Sequence, residues 1–227
     1  MKKLTRLTSV AAPLLENGID TDVIFPARFL LVLEREGIGR YAFNERRNGA
    51  EPFVLDTPPY DKAEIFVTGE SFGTGSSREQ AVWALADLGI RCVIARSFGE
   101  IFFANCFKNG VLPVRLDGDD MAAVEAAAHA ADAIIVDLES QTIVLPSGRT
   151  IAFDIDPYQK RALLAGLDEI GLILADEREA IEAFEARHHA ALPWMTIPRS
   201  RFDALADDHG IVEHTDRGLE TIRKITS

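Results

Sequence analysis

Residues 64 to 115 alternate short apolar runs with segments of helical length, and this alternation constrains the fold more than any other feature of the chain. The runs at 64–68, 92–96 and 111–115 have the length and β-branched content of buried strands, whereas 77–88 and 99–108 have the length and composition of helices. A strand–helix–strand–helix–strand unit favours a parallel sheet. We therefore predict an α/β domain with ligand-binding loops at the carboxyl ends of its strands.

Further strands and helices are expected to surround this unit. We predict strands at 4–15, 133–137, 141–145 and 150–153, and helices at 27–36, 119–130, 157–166 and 176–189. Residues 19–26 are expected to form a loop that leads into a short extended piece, and 44–61 a long surface connection. A main domain over 1–195 and a C-terminal extension over 196–227, with one more helix at 202–208, complete the prediction.

Charge and composition exclude several functional classes. The formal net charge of −12 argues against nucleic-acid binding through phosphate contacts, because such binding needs clustered lysine and arginine. The chain lacks an apolar run long enough to span a membrane and a signal-peptide core. Cys92 and Cys106 are the only cysteines and form no Cys-x-x-Cys pair, so we expect no disulfide framework, zinc site or iron–sulfur cluster on this chain. We expect a cytoplasmic protein that binds neither nucleic acid nor membranes.

The loop between the first strand and helix of this unit is rich in glycine and carries Ser76, Ser77 and Arg78. Gly73 and Gly75 permit positive φ angles and close approach of a ligand. The following helix start offers unpaired N–H groups and a partial positive charge. The loop lacks the Gly-Lys-Ser/Thr ending of a P-loop and the third glycine of a dinucleotide-binding loop. We therefore predict a carboxylate site here rather than a nucleotide site.

The two serines have a structural interpretation beside the functional one. Ser76 precedes Glu79 by three residues and Ser77 precedes Gln80 by three, so each pair matches a helix capping box. Only one serine can be the N-cap residue, and if Ser77 pairs with Gln80, Ser76 faces the loop cavity. Arg78 opposes the helix dipole in the first turn, and a bound anion would account for its placement.

Asp20 and Asp22 form a second polar cluster, for which an Asx-turn is the favoured interpretation and an acid/base role the alternative. Histidine offers no obvious activator for a serine, since none precedes His129.

Three segments, at 19–30, 72–79 and 97–113, resemble the small subunits of 3-isopropylmalate dehydratase, and the similarity extends over about residues 4–195. This resemblance implies the swivelling β/β/α fold of the aconitase C-terminal type. It also implies a heteromeric enzyme in which an aconitase-like large subunit carries the four-iron cluster and this chain holds no cofactor.

The resemblance also implies roles for individual residues. Ser76 matches the serine whose alkoxide removes a proton from the substrate carbon, and Asp22 matches an active-site aspartate. Substrate contacts are implied for Thr21, Ser77 and Arg78, and substrate choice for the loop Arg28, Phe29, Leu30, Leu31 and Val32. The alternative for this loop is that its apolar residues simply form the core of a short helix.

The implied reaction converts 2-isopropylmalate into 3-isopropylmalate by loss and readdition of water, a step of leucine biosynthesis. The open iron of the cluster would hold the departing hydroxyl while Ser76 handles the C–H proton. The chain reads Arg-Glu-Gln-Ala-Val-Trp over 78–83, where leucine-pathway enzymes most often read Arg-Glu-His-Ala-Pro-Trp. The alternatives are a related hydro-lyase for a methylmalate, dimethylmalate or homoaconitate-type substrate, and a non-catalytic partner protein.

Overall fold

A computed structural model describes residues 1–195, and its centre is a mixed sheet of seven strands. The strands are β1 (Arg6–Leu14), β2 (Ile65–Thr68), β3 (Cys92–Ala95), β4 (Leu112–Arg115), β5 (Ala133–Asp137), β6 (Thr142–Val144) and β7 (Thr150–Ala152). They lie in the order β4-β3-β2-β1-β5-β6-β7. Every strand predicted from the sequence is present, and the α/β class is confirmed.

Strand β1 joins a parallel half of the sheet to an antiparallel half. Its residues Ala11–Leu14 pair in parallel with β2, whereas Arg6–Val10 pair antiparallel with β5. Strands β2, β3 and β4 are parallel to one another, as the alternating pattern predicts, and β5, β6 and β7 form an antiparallel meander. All residues of β2 and β3 are buried, which is typical of parallel strands that are covered on both faces.

Eight α-helices lie within the described residues. They are α1 (Thr21–Ile24), α2 (Asn44–Arg47), α3 (Glu79–Asp87), α4 (Glu100–Lys108), α5 (Gly118–His129), α6 (Pro157–Ala165), α7 (Glu169–Asp176) and α8 (Arg178–Ala191). Short 3-10 turns occur at Ala27–Phe29, Ile38–Tyr41, Val54–Asp56, Tyr60–Lys62 and Pro193–Met195. The helices predicted at 77–88, 99–108, 119–130, 157–166 and 176–189 are confirmed within a few residues at each end.

Predictions for the segments outside the regular unit were less accurate. The helix predicted at 27–36 is wrong, because only a 3-10 turn forms there, with the Phe29 ring stacked on Tyr41 at 4.5 Å and Leu31 92% exposed. The loop predicted at 19–26 contains α1, and helix α7 was not predicted. The connection at 44–61 contains short helical turns and buries Phe53 and Leu55.

Two hydrophobic clusters cover the two faces of the sheet. Alternate strand residues divide between them, so Ile65 and Val67 join one cluster while Phe66 joins the other. The first cluster contains Met121 of α5, and the second contains Val82 of α3. The sheet is therefore a buried platform whose loops carry the polar residues discussed below.

The contacts between Cα atoms divide the chain into two compact units, Met1–Leu172 and a second that begins at Ile173. The predicted domain boundary at residue 195 stays a prediction. The predicted extension at 196–227, with its helix at 202–208, lies outside the described residues. None of the described helices is long and apolar enough to cross a membrane.

Candidate functional site

The glycine-rich loop between β2 and α3 is pressed closely against helix α4. Gly73 has φ +71°, and a Cβ atom added there would lie 2.2 Å from Cγ of Phe102. The Gly73 N–H donates to the carbonyl of Ile19 at 2.7 Å. Glycine is required at position 73 both for its backbone conformation and for the space it leaves.

The loop that follows β3 crosses beside the glycine-rich loop. The Phe72 N–H donates to the Ser97 carbonyl at 3.0 Å, and the Gly99 N–H donates to the Phe72 carbonyl at 2.9 Å. A Cβ atom on Gly99 would lie 2.5 Å from the carbonyl oxygen of Gly73. The two loops therefore meet at the carboxyl edge of the parallel strands, where the strand pattern predicts a site.

Helix α1 is fastened to the same loop. Asp20 caps α1, since its Oδ1 accepts from the N–H groups of Asp22 at 2.9 Å and Val23 at 2.8 Å, which confirms the predicted Asx-turn at this residue. The Thr21 N–H donates to the Thr74 carbonyl at 2.9 Å, and Thr21 Oγ1 donates to the Ser76 carbonyl at 2.8 Å. These bonds attach the glycine-rich loop to α1 at Thr74 and Ser76.

Arg78 and Asp22 form an ion pair across this junction. Nη1 of Arg78 donates to Asp22 Oδ1 and, at 3.2 Å, to the Phe25 carbonyl. The hydrogen bond from Arg78, followed by that from the Ala27 N–H, lowers the pKa of Asp22 below the usual aspartate value. Nε and Nη2 of Arg78 have no hydrogen-bond partner within residues 1–195. The guanidinium is therefore anchored through one nitrogen and keeps two others available for a ligand.

Neither serine caps α3, so both predicted capping boxes are wrong. The helix begins at Glu79 with Arg78 as its N-cap residue and without a side-chain cap. Gly75 at φ +93° and the bond from Thr21 to the Ser76 carbonyl keep the serines out of the helix. Ser76 and Ser77 are exposed, and their hydroxyls form no hydrogen bond with other residues of the described chain. Both hydroxyls are free to meet a ligand.

These residues surround a cavity of about 290 Å³. Its lining residues are Thr21, Gly73, Thr74, Gly75, Ser76, Ser77, Arg78, Gly99, Glu100, Ile101, Phe102 and Asn105. The N-terminus of α3 and that of α4 both contribute to its wall, and neither has a side-chain cap. Two such helix ends and an anchored arginine favour an anionic ligand.

The structure brings together only part of the predicted site. Thr21, Ser76, Ser77 and Arg78 line the cavity, and Asp22 reaches it through Arg78. The wall formed by α4, including the buried Asn105, was not predicted. Its residues fall within the segment 97–113 that carries the family resemblance, but no local pattern indicated a functional role for them.

The predicted substrate loop lies outside this cavity. Arg28 lines a separate pocket of about 450 Å³ with Asp20 and Asp22, donates to Glu45 and Asn44, and stacks 4.6 Å above the Phe29 ring. Phe29, Leu30 and Val32 are half-buried, and Leu31 is exposed.

The donor atoms of the described residues do not fit an iron–sulfur cluster. Cys92 and Cys106 are fully buried, and burial raises the pKa of both thiols above the usual cysteine value. Among residues 1–195, no group of three or more His, Cys, Asp or Glu side chains is arranged to hold a metal ion. A cluster needs accessible thiolates, which these buried cysteines do not provide.

Comparison with known proteins gives a consistent result over most of the chain. A family model of the aconitase C-terminal domain matches residues 1–119, and a second, described as LeuD_N, matches residues 121–157. The 3-isopropylmalate dehydratase small subunit of Dinoroseobacter shibae is 50% identical over 202 residues, which cover 86% of this chain and all of that protein. The protein of the same name from Jannaschia sp. is 49% identical with the same coverage.

A solved structure agrees with these sequence relatives. The crystal structure of 3-isopropylmalate dehydratase (leuD) from Methanocaldococcus jannaschii matches with a TM-score of 0.57 and 25% identity, over 79% of this chain and 99% of that one.

Proposed function

Because the chain belongs to the family of 3-isopropylmalate dehydratase small subunits, with a fold of the aconitase C-terminal type, we propose that it is the small subunit of a two-subunit hydro-lyase. The enzyme isomerises 2-isopropylmalate to 3-isopropylmalate by loss and readdition of water, in leucine biosynthesis. One observation in the structure carries this proposal. The unpaired hydroxyl of Ser76 lies in a cavity with an anchored arginine and two uncapped helix N-termini.

Ser76 acts as the base that takes a proton from the substrate carbon. A serine hydroxyl is ordinarily a poor base, and its alkoxide must be stabilised before it can remove a C–H proton. The helix N-termini and the Arg78 guanidinium stabilise negative charge in the cavity. During dehydration the proton moves from one substrate carbon to Ser76 Oγ while the hydroxyl leaves the neighbouring carbon. During rehydration Ser76 gives a proton to that neighbouring carbon while the hydroxyl of water adds to the first.

Arg78 and Ser77 bind a carboxylate of the substrate. Nε and Nη2 of Arg78 form a planar pair of donors that matches a carboxylate, and the Ser77 hydroxyl can add a third hydrogen bond. Asp22 acts through Arg78 by holding Nη1 in place. Thr21 positions the base through its bond to the Ser76 carbonyl.

A partner subunit completes the active site. We assign the four-iron cluster to an aconitase-like large subunit. The loop of Arg28, Phe29, Leu30, Leu31 and Val32 selects the substrate in the assembled enzyme, where the exposed Leu31 provides an apolar contact for an isopropyl group.

Anaerobic reconstitution with the cognate large subunit tests the proposal. The complex is expected to turn over 2-isopropylmalate in preference to citrate, citramalate and dimethylmalate, and neither subunit is expected to be active alone. Turnover by this chain alone, or a clear preference for another diacid, would overturn the assignment.

The Ser76→Ala variant tests the role of the base. We expect kcat to fall by at least about 100-fold, the usual contribution of general base catalysis. The melting temperature and the affinity for the large subunit should not change, because the Ser76 hydroxyl makes no hydrogen bond within residues 1–195. Ser147→Ala, at an exposed serine outside the cavity, is the matched control. A Ser76→Ala enzyme with normal kcat would exclude Ser76 as the base.

A further inference from the structure

Asn105 is a buried polar residue in the cavity wall. It lies on α4, is 9% exposed, and lines the same cavity as Ser76 and Arg78. Within residues 1–195, the other buried polar side chains are those of Thr21 and Thr68, at 3% and 0% exposed. Buried polar side chains nearly always have a hydrogen-bond partner, so each of the three requires an explanation.

The side-chain amide of Asn105 has no hydrogen-bond partner in the described chain. Outside the backbone bonds of the helix, Asn105 takes part in a hydrogen bond only through its backbone carbonyl, which accepts from Nδ2 of Asn109 at 2.9 Å within the described chain. In the same part of the chain, the Thr68 hydroxyl is the one side-chain polar atom that is both sealed from solvent and unpaired. The Asn105 amide therefore has no hydrogen-bond partner in the described chain but keeps some solvent exposure. We infer that this exposure is toward the cavity that Asn105 lines.

The surroundings of the Asn105 amide suit an anion. Helix α4 begins in the same cavity wall, and its N-cap residue Gly99 has no side chain that could satisfy the first N–H groups. Glu100 adds a negative charge to this turn, but it is exposed, so solvent screens it. An amide and a helix N-terminus together provide neutral donors of the kind that bind carboxylates.

We propose that Asn105 is a substrate-binding residue whose amide donates a hydrogen bond to a carboxylate of the diacid at the α4 wall of the cavity. Arg78 and Ser77 then hold the other carboxylate at the α3 wall, and the carbon atoms between the two carboxylates are presented to Ser76. This inference rests on the proposed function. It explains why an amide is buried where nothing in the described chain satisfies it.

Three variants of Asn105, assayed in the reconstituted complex, test the inference. Asn105→Ala and Asn105→Leu should lower kcat/KM by about 10- to 100-fold, the effect of losing a hydrogen bond to a charged group. The loss should appear mainly in KM, because a carboxylate is bound equally in the ground state and the transition state. Asn105→Asp should raise KM further, because its charge repels the substrate carboxylate.

The melting temperature of each variant separates substrate binding from a structural role. Asn105→Leu should leave the melting temperature unchanged or raise it, because an apolar side chain of similar size replaces an unpaired buried amide. Asn109→Ala is the control, since the Asn109 amide is bonded to Glu79 Oε1 and the Asn105 carbonyl, both at 2.9 Å. That variant should lower the melting temperature.

Two results would overturn the inference. One is an unchanged kcat/KM in the Asn105 variants of an active complex, and the other is a fall in melting temperature for Asn105→Leu as large as that for Asn109→Ala. If Asn105→Leu does not fold, the KM of Asn105→Asp is the deciding measurement. A raised KM supports the inference, and an unchanged KM contradicts it. Failure of the wild-type complex to convert 2-isopropylmalate would instead contradict the proposed function, so the two failures are distinguishable.

Discussion

At the scale of single residues, the pair of Arg78 and Asp22 links the proposed substrate site to helix α1. Arg78 is 14% exposed and Asp22 56% exposed, so the arginine is held in the protein while the carboxylate reaches it from the solvent side. Exposed ion pairs contribute little to stability. We therefore expect the main effect of this pair to be on the direction of the guanidinium, and hence on the position of the proposed carboxylate site.

The pH dependence of stability tests this pair. Because Arg78 and the Ala27 N–H lower the pKa of Asp22 in the folded state, the charged carboxylate stabilises the fold above the ordinary aspartate pKa of about 4. That contribution is lost as the pH falls through the lower pKa of the folded state. We expect Asp22→Asn to be less stable than the wild type by under about 1 kcal/mol at pH 7, and the difference to shrink at pH 3. Urea unfolding at both pH values measures it, and a difference that grew on acidification would contradict the pKa shift.

At the scale of elements, α1 shows how a short helix can carry functional residues. It has four residues, far too few for independent stability, and depends on the cap provided by Asp20 and on the bonds from Thr21 to the glycine-rich loop. Its residues Thr21 and Asp22 both serve the proposed site. The cap of α1 is therefore expected to affect catalysis more strongly than global stability.

Substitution of the cap tests this expectation. Asp20→Ala removes two hydrogen bonds and should cost about 1 kcal/mol of unfolding free energy, with a fall in kcat/KM of the complex as α1 loosens. Asp20→Asn is the matched control, because its side-chain oxygen can still cap the helix, and it should behave almost as the wild type. Urea unfolding and steady-state kinetics provide the two measurements. Equal loss of activity in both variants would show that the charge of Asp20 matters instead of the cap.

Comparison of predicted and observed elements shows where local sequence is sufficient. The unit from β2 to β4 was predicted because strand and helix signals there are local and repeat regularly. Helix α3 begins two residues later than predicted, at Glu79, and the Ser76 carbonyl is bonded instead to Thr21, a residue 55 positions earlier. The α4 wall with Asn105 could not be predicted, since an unpaired amide is recognised only when its surroundings are known. Tertiary contacts decide both features.

At the scale of the whole molecule, both cysteines lie inside the sheet–helix core, in β3 and α4. Cys92 and Cys106 are 0% exposed, and burial raises the pKa of each thiol, so the reactive thiolate is disfavoured. Their roles are those of small apolar residues in packing. The fold of residues 1–195 is therefore expected to be insensitive to thiol reagents and to metal chelators.

Thiol titration of the isolated chain measures this burial. We expect no reaction of the native protein with an aromatic disulfide reagent on the timescale of minutes, and reaction of two thiols after denaturation, which equals the number of cysteines. A chelator should leave the melting temperature unchanged. Rapid modification of either thiol in the native chain would show that the core opens around that cysteine, in β3 for Cys92 or in α4 for Cys106.

The crossing of the two loops at Gly73 and Gly99 also has an evolutionary consequence. Neither position has room for a Cβ atom, so we expect any substitution there to distort the loops that form the proposed site rather than to change its substrate preference. Leu31, by contrast, is 92% exposed and can be exchanged at little cost to folding. If the loop at 28–32 selects the substrate and Ser76 moves the proton, as proposed, single mutations in that loop can change which diacid the enzyme accepts. Such mutations would leave the proposed proton-transfer residues at the crossing of the two loops unchanged.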